Sequence, residues 1–128
     1  RSETIESKKT FKYPFYNKRC LIPATGFFEW KDKDNKKIKY RIFLRDLNLF
    51  SLAGIYDTFT DKEGNNIACA TIITTEANDK IKPVHNRMPV ILKKGEEKKW
   101  LNPELKNTVT LKNMMTPYKN SETILKKT

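Results

Sequence analysis

Glu29 stands inside the apolar, strand-like run Gly26-Phe27-Phe28-Glu29-Trp30. His85, the only histidine of the chain, lies far downstream in Lys82-Pro83-Val84-His85-Asn86-Arg87-Met88-Pro89-Val90. Packing alone would fill both positions with apolar side chains. A carboxylate and an imidazole brought together by a fold make an acid/base pair, able to take a proton from a reacting centre and return it. The alternatives are a glutamate at a sheet edge or paired with an arginine, and a histidine that only supports structure.

These residues need a rigid frame, and the pattern around them is that of a sheet protein. Short β-like segments recur between turn signals. Strands are expected at about Cys20–Pro23, Gly26–Trp30, Lys39–Arg45, Leu49–Ile55, Asn66–Thr74 and Pro89–Leu92, with a faint one at Thr123–Leu125 in an otherwise irregular tail. Residues 31–37 read as a polar hairpin connection, and Gly64 supplies the positive φ of a second turn. Helices are expected from Thr75 to Ile81, ended by Pro83, and over Glu96–Leu101, ended before Pro103. Thr75 suits an N-cap, and Glu96 and Glu97 suit a first turn. The expected fold class is α+β, a curved, mainly antiparallel, barrel-like sheet with short helices.

Period-two alternation puts Phe28 and Trp30 on one face of their strand and Phe27 and Glu29 on the other, so the carboxylate shares its face with an aromatic ring. His85 falls in a loop entering the Pro89–Leu92 strand, a place held by a rigid element yet open to a substrate. Arg87 is a candidate phosphate ligand or a salt-bridge partner. Phe27 and Trp30 are candidates for stacking on bases, although Trp30 is expected in the core as most strand aromatics are.

Composition bounds the rest. The 128 residues fit a single domain, and 38% apolar content supports a modest core. No run approaches the roughly 20 apolar residues of a membrane span, so a soluble chain, cytoplasmic or nucleoid-associated, is expected. Lysine and arginine outnumber aspartate and glutamate 26 to 15, a net charge of +11. That field attracts polyanions, nucleic acid first among them, although much of the excess sits in solvated runs such as Lys36-Lys37, Lys93-Lys94 and Lys98-Lys99. Cys20 and Cys69 lack zinc-site or disulfide spacing and are expected to be buried free thiols.

Four separated stretches carry a resemblance: Arg1-Ser2-Glu3-Thr4-Ile5, Arg19 through Trp30, Thr74-Thr75-Glu76-Ala77-Asn78, and His85 through Leu92. In this order they resemble the SRAP domain, the SOS-response-associated peptidase family. The resemblance implies sensing of abasic sites in single-stranded DNA through a covalent crosslink, with self-removal of the initiator methionine and no metal or organic cofactor. Glu29 matches the glutamate that shuttles the proton of an N-terminal amine, and His85 the histidine that assists opening of the sugar ring. Arg1 matches an arginine that contacts DNA phosphate. Thr74 is placed to hydrogen-bond His85 or the sugar, or else to share a helix cap with Thr75. The family's nucleophile is a cysteine at the mature N-terminus, and an asparagine precedes the matched arginine; neither is found ahead of Arg1. The chain is therefore expected to be a C-terminal portion, completed by a separate N-terminal segment or pairing with a second copy through exposed sheet edges. Two other readings stay open, a basic β-rich module that binds single strands without chemistry and a fold in which Glu29 and His85 are structural.

Overall fold

The computed structural model describes residues 1–128. It is α+β, with eight strands: β1 (Arg19–Ala24), β2 (Phe27–Lys33), β3 (Lys36–Leu44), β4 (Phe50–Thr60), β5 (Asn66–Ile72), β6 (Thr74–Glu76), β7 (Arg87–Pro89) and β8 (Thr123–Lys127). All pairing is antiparallel, in three sheets ordered β1-β4-β5, β2-β3-β8 and β6-β7, and no sheet closes into a barrel. Three helices accompany them, α1 (Lys9–Asn17), α2 (Glu97–Leu101) and α3 (Thr108–Met114). No helix is long and apolar enough to cross a membrane.

β4 sits at the centre because both of its faces are apolar. Ala53 and Ile55 enter one buried cluster with Phe15, Val90, Trp100 and Leu111. Phe50 and Leu52 enter the other, with Ile42, Ile81, Met88 and Ile91. Residues 90–92 follow the same alternation beside it, tied by Ala53 N–H to the Val90 carbonyl at 2.9 Å and by Leu92 N–H to the Ser51 carbonyl at 3.0 Å. A strand buried on both sides reads as a nearly continuous apolar run, as Phe50-Ser51-Leu52-Ala53-Gly54-Ile55 does.

β2 and β3 are closed by a two-residue turn in which Asp34 and Asn35 both take positive φ, 50° and 60°. That primed geometry matches the twist of the strands, and Asp and Asn tolerate it better than most residues. Gly26, just before β2, is fixed by a close approach, since a Cβ there would lie 2.8 Å from the Ile42 carbonyl oxygen.

Several expected elements differ. The helix from Thr75 to Ile81 does not form. Thr75 is instead buried in β6 opposite Met88, and Asn78 starts a run of turns by accepting the Ile81 N–H at 3.0 Å. The long-range pairing of β6 with β7 overrides local helix preference, and Thr74 accordingly caps no helix. The expected strand at Pro89–Leu92 begins earlier, at Arg87, and its later residues run extended against β4. α1 and α3 were not expected. α1 contains Pro14, a residue that normally argues against a helix interior. The tail is more ordered than its composition implies, because β8 pairs with β3 from Thr123 to Lys127.

Arg19 binds these parts together. It is 8% exposed, and its five N–H donors meet five backbone carbonyls: Nε to Trp100 at 2.6 Å, Nη1 to Phe15 at 2.9 Å and Tyr16 at 3.2 Å, Nη2 to Asn102 at 2.6 Å and Leu105 at 2.9 Å. The guanidinium also lies 5.5 Å from the Trp100 ring centroid. Arg19→Lys puts three donors on a single atom and strands several buried carbonyls. The expected outcome is a loss of about 3 kcal/mol or more in stability, read as a lowered urea midpoint with unchanged slope.

Candidate active site

The β2–β3 hairpin sets Glu29 on its inward face, directly opposite Tyr40. His85 closes the turns that follow Asn78, its own N–H bonded to the Ile81 carbonyl at 3.0 Å. These two segments, far apart in sequence, bring His85 Nδ1 to 3.9 Å from Glu29 Oε1. That is ion-pair range and too long for a hydrogen bond. The side chains of Glu29 and His85 are 22% and 43% exposed, so both can be reached from solvent.

Arg87 backbone N–H points at His85 Nδ1 from 3.1 Å. Because an amide N–H can only donate, Nδ1 accepts, and the neutral ring carries its proton on Nε2. Nδ1 also lies 3.2 Å from the Arg87 carbonyl oxygen. The orientation of the imidazole is thus set by strand β7.

The Arg87 side chain turns the other way. Its Nη1 and Nη2 grip Glu3 Oε1 and Oε2 at 2.8 and 2.9 Å, and Nη2 also donates to the Thr74 carbonyl at 2.9 Å and lies 3.3 Å from Thr74 Oγ1. Its Nε is buried without a partner. The fork of Arg87 is occupied by a carboxylate, the salt-bridge alternative for this residue, and Thr74 meets the arginine. Ser2 N–H bonds the same Thr74 carbonyl at 2.8 Å, Lys112 donates to the Glu3 carbonyl and pairs with Glu6, and Ile5 is buried in the first cluster. Residues 1–7 therefore form a strap beside the site. Arg1, at its start, is exposed and forms no ion pair.

Five residues were placed otherwise or passed over by sequence reasoning. Trp30 is 45% exposed and Phe28 47%, not in the core, because no further layer covers the outer face of the β2-β3-β8 sheet; Lys39 Nζ lies 4.1 Å from the Phe28 ring centroid on that face. Glu3 was missed, although an acid two residues after Arg1 was its visible signal. Asn78 was missed as well: it is buried, and its Nδ2 donates to the Tyr118 carbonyl at 2.9 Å and to Thr123 Oγ1 at 3.0 Å, tying the start of β8 to the turns that lead to His85. The thiols also differ from expectation, Cys20 being half-buried and Cys69 exposed. Burial pushes the Cys20 thiol pKa up.

The arrangement defines an α+β domain with an acid–imidazole pair at the meeting of two sheets. The family model described as SOS response associated peptidase (SRAP) matches residues 1–127, and the chain belongs to this family. It is 45% identical over 119 residues to "Abasic site processing protein YoqW" of Bacillus subtilis, a match covering 92% of this chain and 53% of that protein. It is 33% identical over 123 residues to "Abasic site processing protein HMCES" of Gallus gallus, covering 80% of this chain and 37% of that one. A crystal structure of a Bacteroides thetaiotaomicron protein superposes with a TM-score of 0.92 at 37% identity, covering 99% of this chain and 56% of that one. The chain spans about half the length of the Bacillus relative.

The Arg87 fork, bonding the charged form of Glu3, holds that carboxyl at about 2, below its ordinary 4.5. A depressed carboxyl pKa stabilises the fold fully above pH 4.5, and that contribution is lost as pH falls toward 2. Glu3→Gln is expected to lower stability at neutral pH, and the gap from the parent should close over that acid window in urea titrations.

Proposed function

We propose that these residues are the larger part of the working surface of an abasic-site processing protein, in which Glu29 and His85 act as the acid/base pair on single-stranded DNA. The observation that carries this reading is the 3.9 Å approach of two groups from distant segments, both open to solvent. It is supported by the names of the relatives YoqW and HMCES and by a net charge of +11.

In this reading the abasic deoxyribose opens to an aldehyde with help from His85. An N-terminal cysteine, supplied by polypeptide outside residues 1–128, attacks through its amine; water leaves as the imine forms, and the thiol then adds across the C=N bond to close a thiazolidine. Each step moves a proton, and Glu29 takes it from the amine. The same carboxylate would serve the peptide cleavage that removes the initiator methionine. Arg1 is the free guanidinium of the cluster and so the better phosphate ligand, whereas Arg87 would act through Glu3 and Thr74 to hold the loop of His85. No metal or organic cofactor takes part in this scheme.

A specific observation favours a second reading, a single-strand-binding module without chemistry. Phe28 and Trp30 present exposed rings beside Lys39, which is what sequence-tolerant stacking on bases requires. One experiment separates the two. The longer protein carrying the N-terminal cysteine should give a heat-stable adduct with abasic single-stranded DNA on a denaturing gel. Glu29→Gln should slow adduct formation about 100-fold or more while leaving DNA affinity nearly unchanged. Absence of adduct from the parent protein, with binding intact, would select the second reading. In either case affinity should fall steeply with added salt, as counterions released from phosphate demand.

A further inference from the structure

The strand that carries Glu29 inward presents a second set of side chains on its other face. Cross-strand register puts Phe28 and Trp30 of β2, Lys39, Arg41 and Phe43 of β3 and Lys126 of β8 together on the outside of the β2-β3-β8 sheet. Phe28 and Trp30 are open to solvent there. The cations are interleaved with the rings. Lys39 Nζ lies 4.1 Å from the Phe28 ring centroid and 5.9 Å from that of Trp30, and the Arg41 guanidinium lies 4.8 Å from the Phe43 centroid. Arg41 is anchored by a bond from Nη2 to the Thr25 carbonyl at 3.1 Å. Lys39, Arg41 and Lys126 have no carboxylate partner. The one acid that the three strands place on this face, Asp32, sits at the hairpin end opposite Lys37.

Charge and rings together select the occupant. These unpaired cations repel a second copy of a chain that carries +11 and favour a polyanion. Exposed rings flanked by ammonium and guanidinium groups suit a polyanion whose monomers have π faces of their own, and sheet-based readers of single strands stack two or three bases on such aromatics. A duplex keeps its bases paired and offers the same surface only phosphates, and an acidic peptide meets the charge but not the rings. Glu29 and Trp30 are sequence neighbours on opposite faces of β2, and β2 is the last strand of its sheet. A nucleic-acid strand bound at the acid–imidazole pair therefore reaches the outer face by crossing one β-strand, a width of about 5 Å.

We propose that the outer face of the β2-β3-β8 sheet is a platform for the undamaged, unpaired bases that flank the reacting nucleotide, with bases stacked on Phe28 and Trp30 and phosphates held by Lys39, Arg41 and Lys126. The proposal rests on single-stranded DNA as the ligand of this protein. It is independent of the proton transfers assigned to Glu29 and His85.

The test uses the 128-residue chain and an undamaged oligothymidylate, so no crosslink chemistry enters. Trp100 is fully buried, which leaves Trp30 as the indole that a stacked base can quench. Titration at low salt is expected to quench tryptophan fluorescence, and the same oligonucleotide annealed to oligoadenylate is expected not to. Trp30→Ala and Phe28→Ala, both at exposed positions, should each weaken affinity about tenfold, read from the anisotropy of a labelled oligonucleotide, and Trp30→Phe should keep most of it. Lys39→Gln should lower the salt slope by about one. Lys62→Gln, the same charge change at an exposed turn before β5, should leave affinity within about twofold. Binding without quenching overturns the proposal, as does a Trp30→Ala variant that binds as tightly as the parent. So does equal weakening by Lys62→Gln and Lys39→Gln, or complete displacement of the oligonucleotide by polyglutamate of equal charge, either of which would reduce the face to diffuse charge. Absence of any binding at low salt would remove this proposal together with the single-strand reading. Quenching and binding as expected, in company with a longer protein that gives no adduct, would support this face and remove only the chemistry.

Discussion

A single buried guanidinium holds the domain together. Arg19 has no carboxylate partner; its charge is met by the carbonyl dipoles at the C-terminal end of α1 and around the end of α2. Carbonyls at a helix end have no partner within the helix, and a rigid planar donor fork can collect several at once. Because Arg19 is also the first residue of β1, opposite Ile55, this one side chain fixes both helices to the central strand. Trp100, fully buried against Phe15, completes the joint by donating its indole N–H to the Cys20 carbonyl.

Below that joint, the candidate site is assembled by backbone pairing rather than by a pocket. The β6–β7 ribbon supplies Thr74 at one end and Arg87 at the other, and the strap of residues 1–7 locks across them through Glu3 and Ser2. His85 is then held from its main chain by Ile81 and from its ring by Arg87, so its approach to Glu29 follows from how β7 is placed. The acid comes from a separate sheet. The pair accordingly reports the docking of the β2-β3-β8 sheet onto the rest of the fold.

Much of this was legible in the residues. Alternation put Glu29 on one face with Phe27 and opposite Trp30, the apolar stretches located five of the eight strands well, and the Glu96–Leu101 helix came within one residue of its observed bounds. What failed did so for long-range reasons. Thr75 through Ile81 has a cap, an acid and spacing suited to a helix, but Met88 and Asn86 claim its backbone for a ribbon and for turns. Trp30 looked like core because a strand aromatic usually is, whereas its sheet has only one covered face. In α1, Phe11, Pro14 and Phe15 do fall at helical spacing, and the proline concealed a pattern that was present. Arg87 carries two readings in the sequence, phosphate ligand and salt-bridge partner, and the structure sets its fork on Glu3.

The sharing of β4 between both buried clusters governs how the molecule comes apart. Ala53 and Ile55 belong to one cluster and their neighbours Phe50 and Leu52 to the other, with residues 90–92 repeating the division alongside. Neither half can open while its counterpart stays shut, since detaching this partition from one side exposes what it shields on the other. Unfolding is then a single cooperative event, and a cavity cut beneath α3 is felt as lost order at the β2–β3 hairpin that carries Glu29.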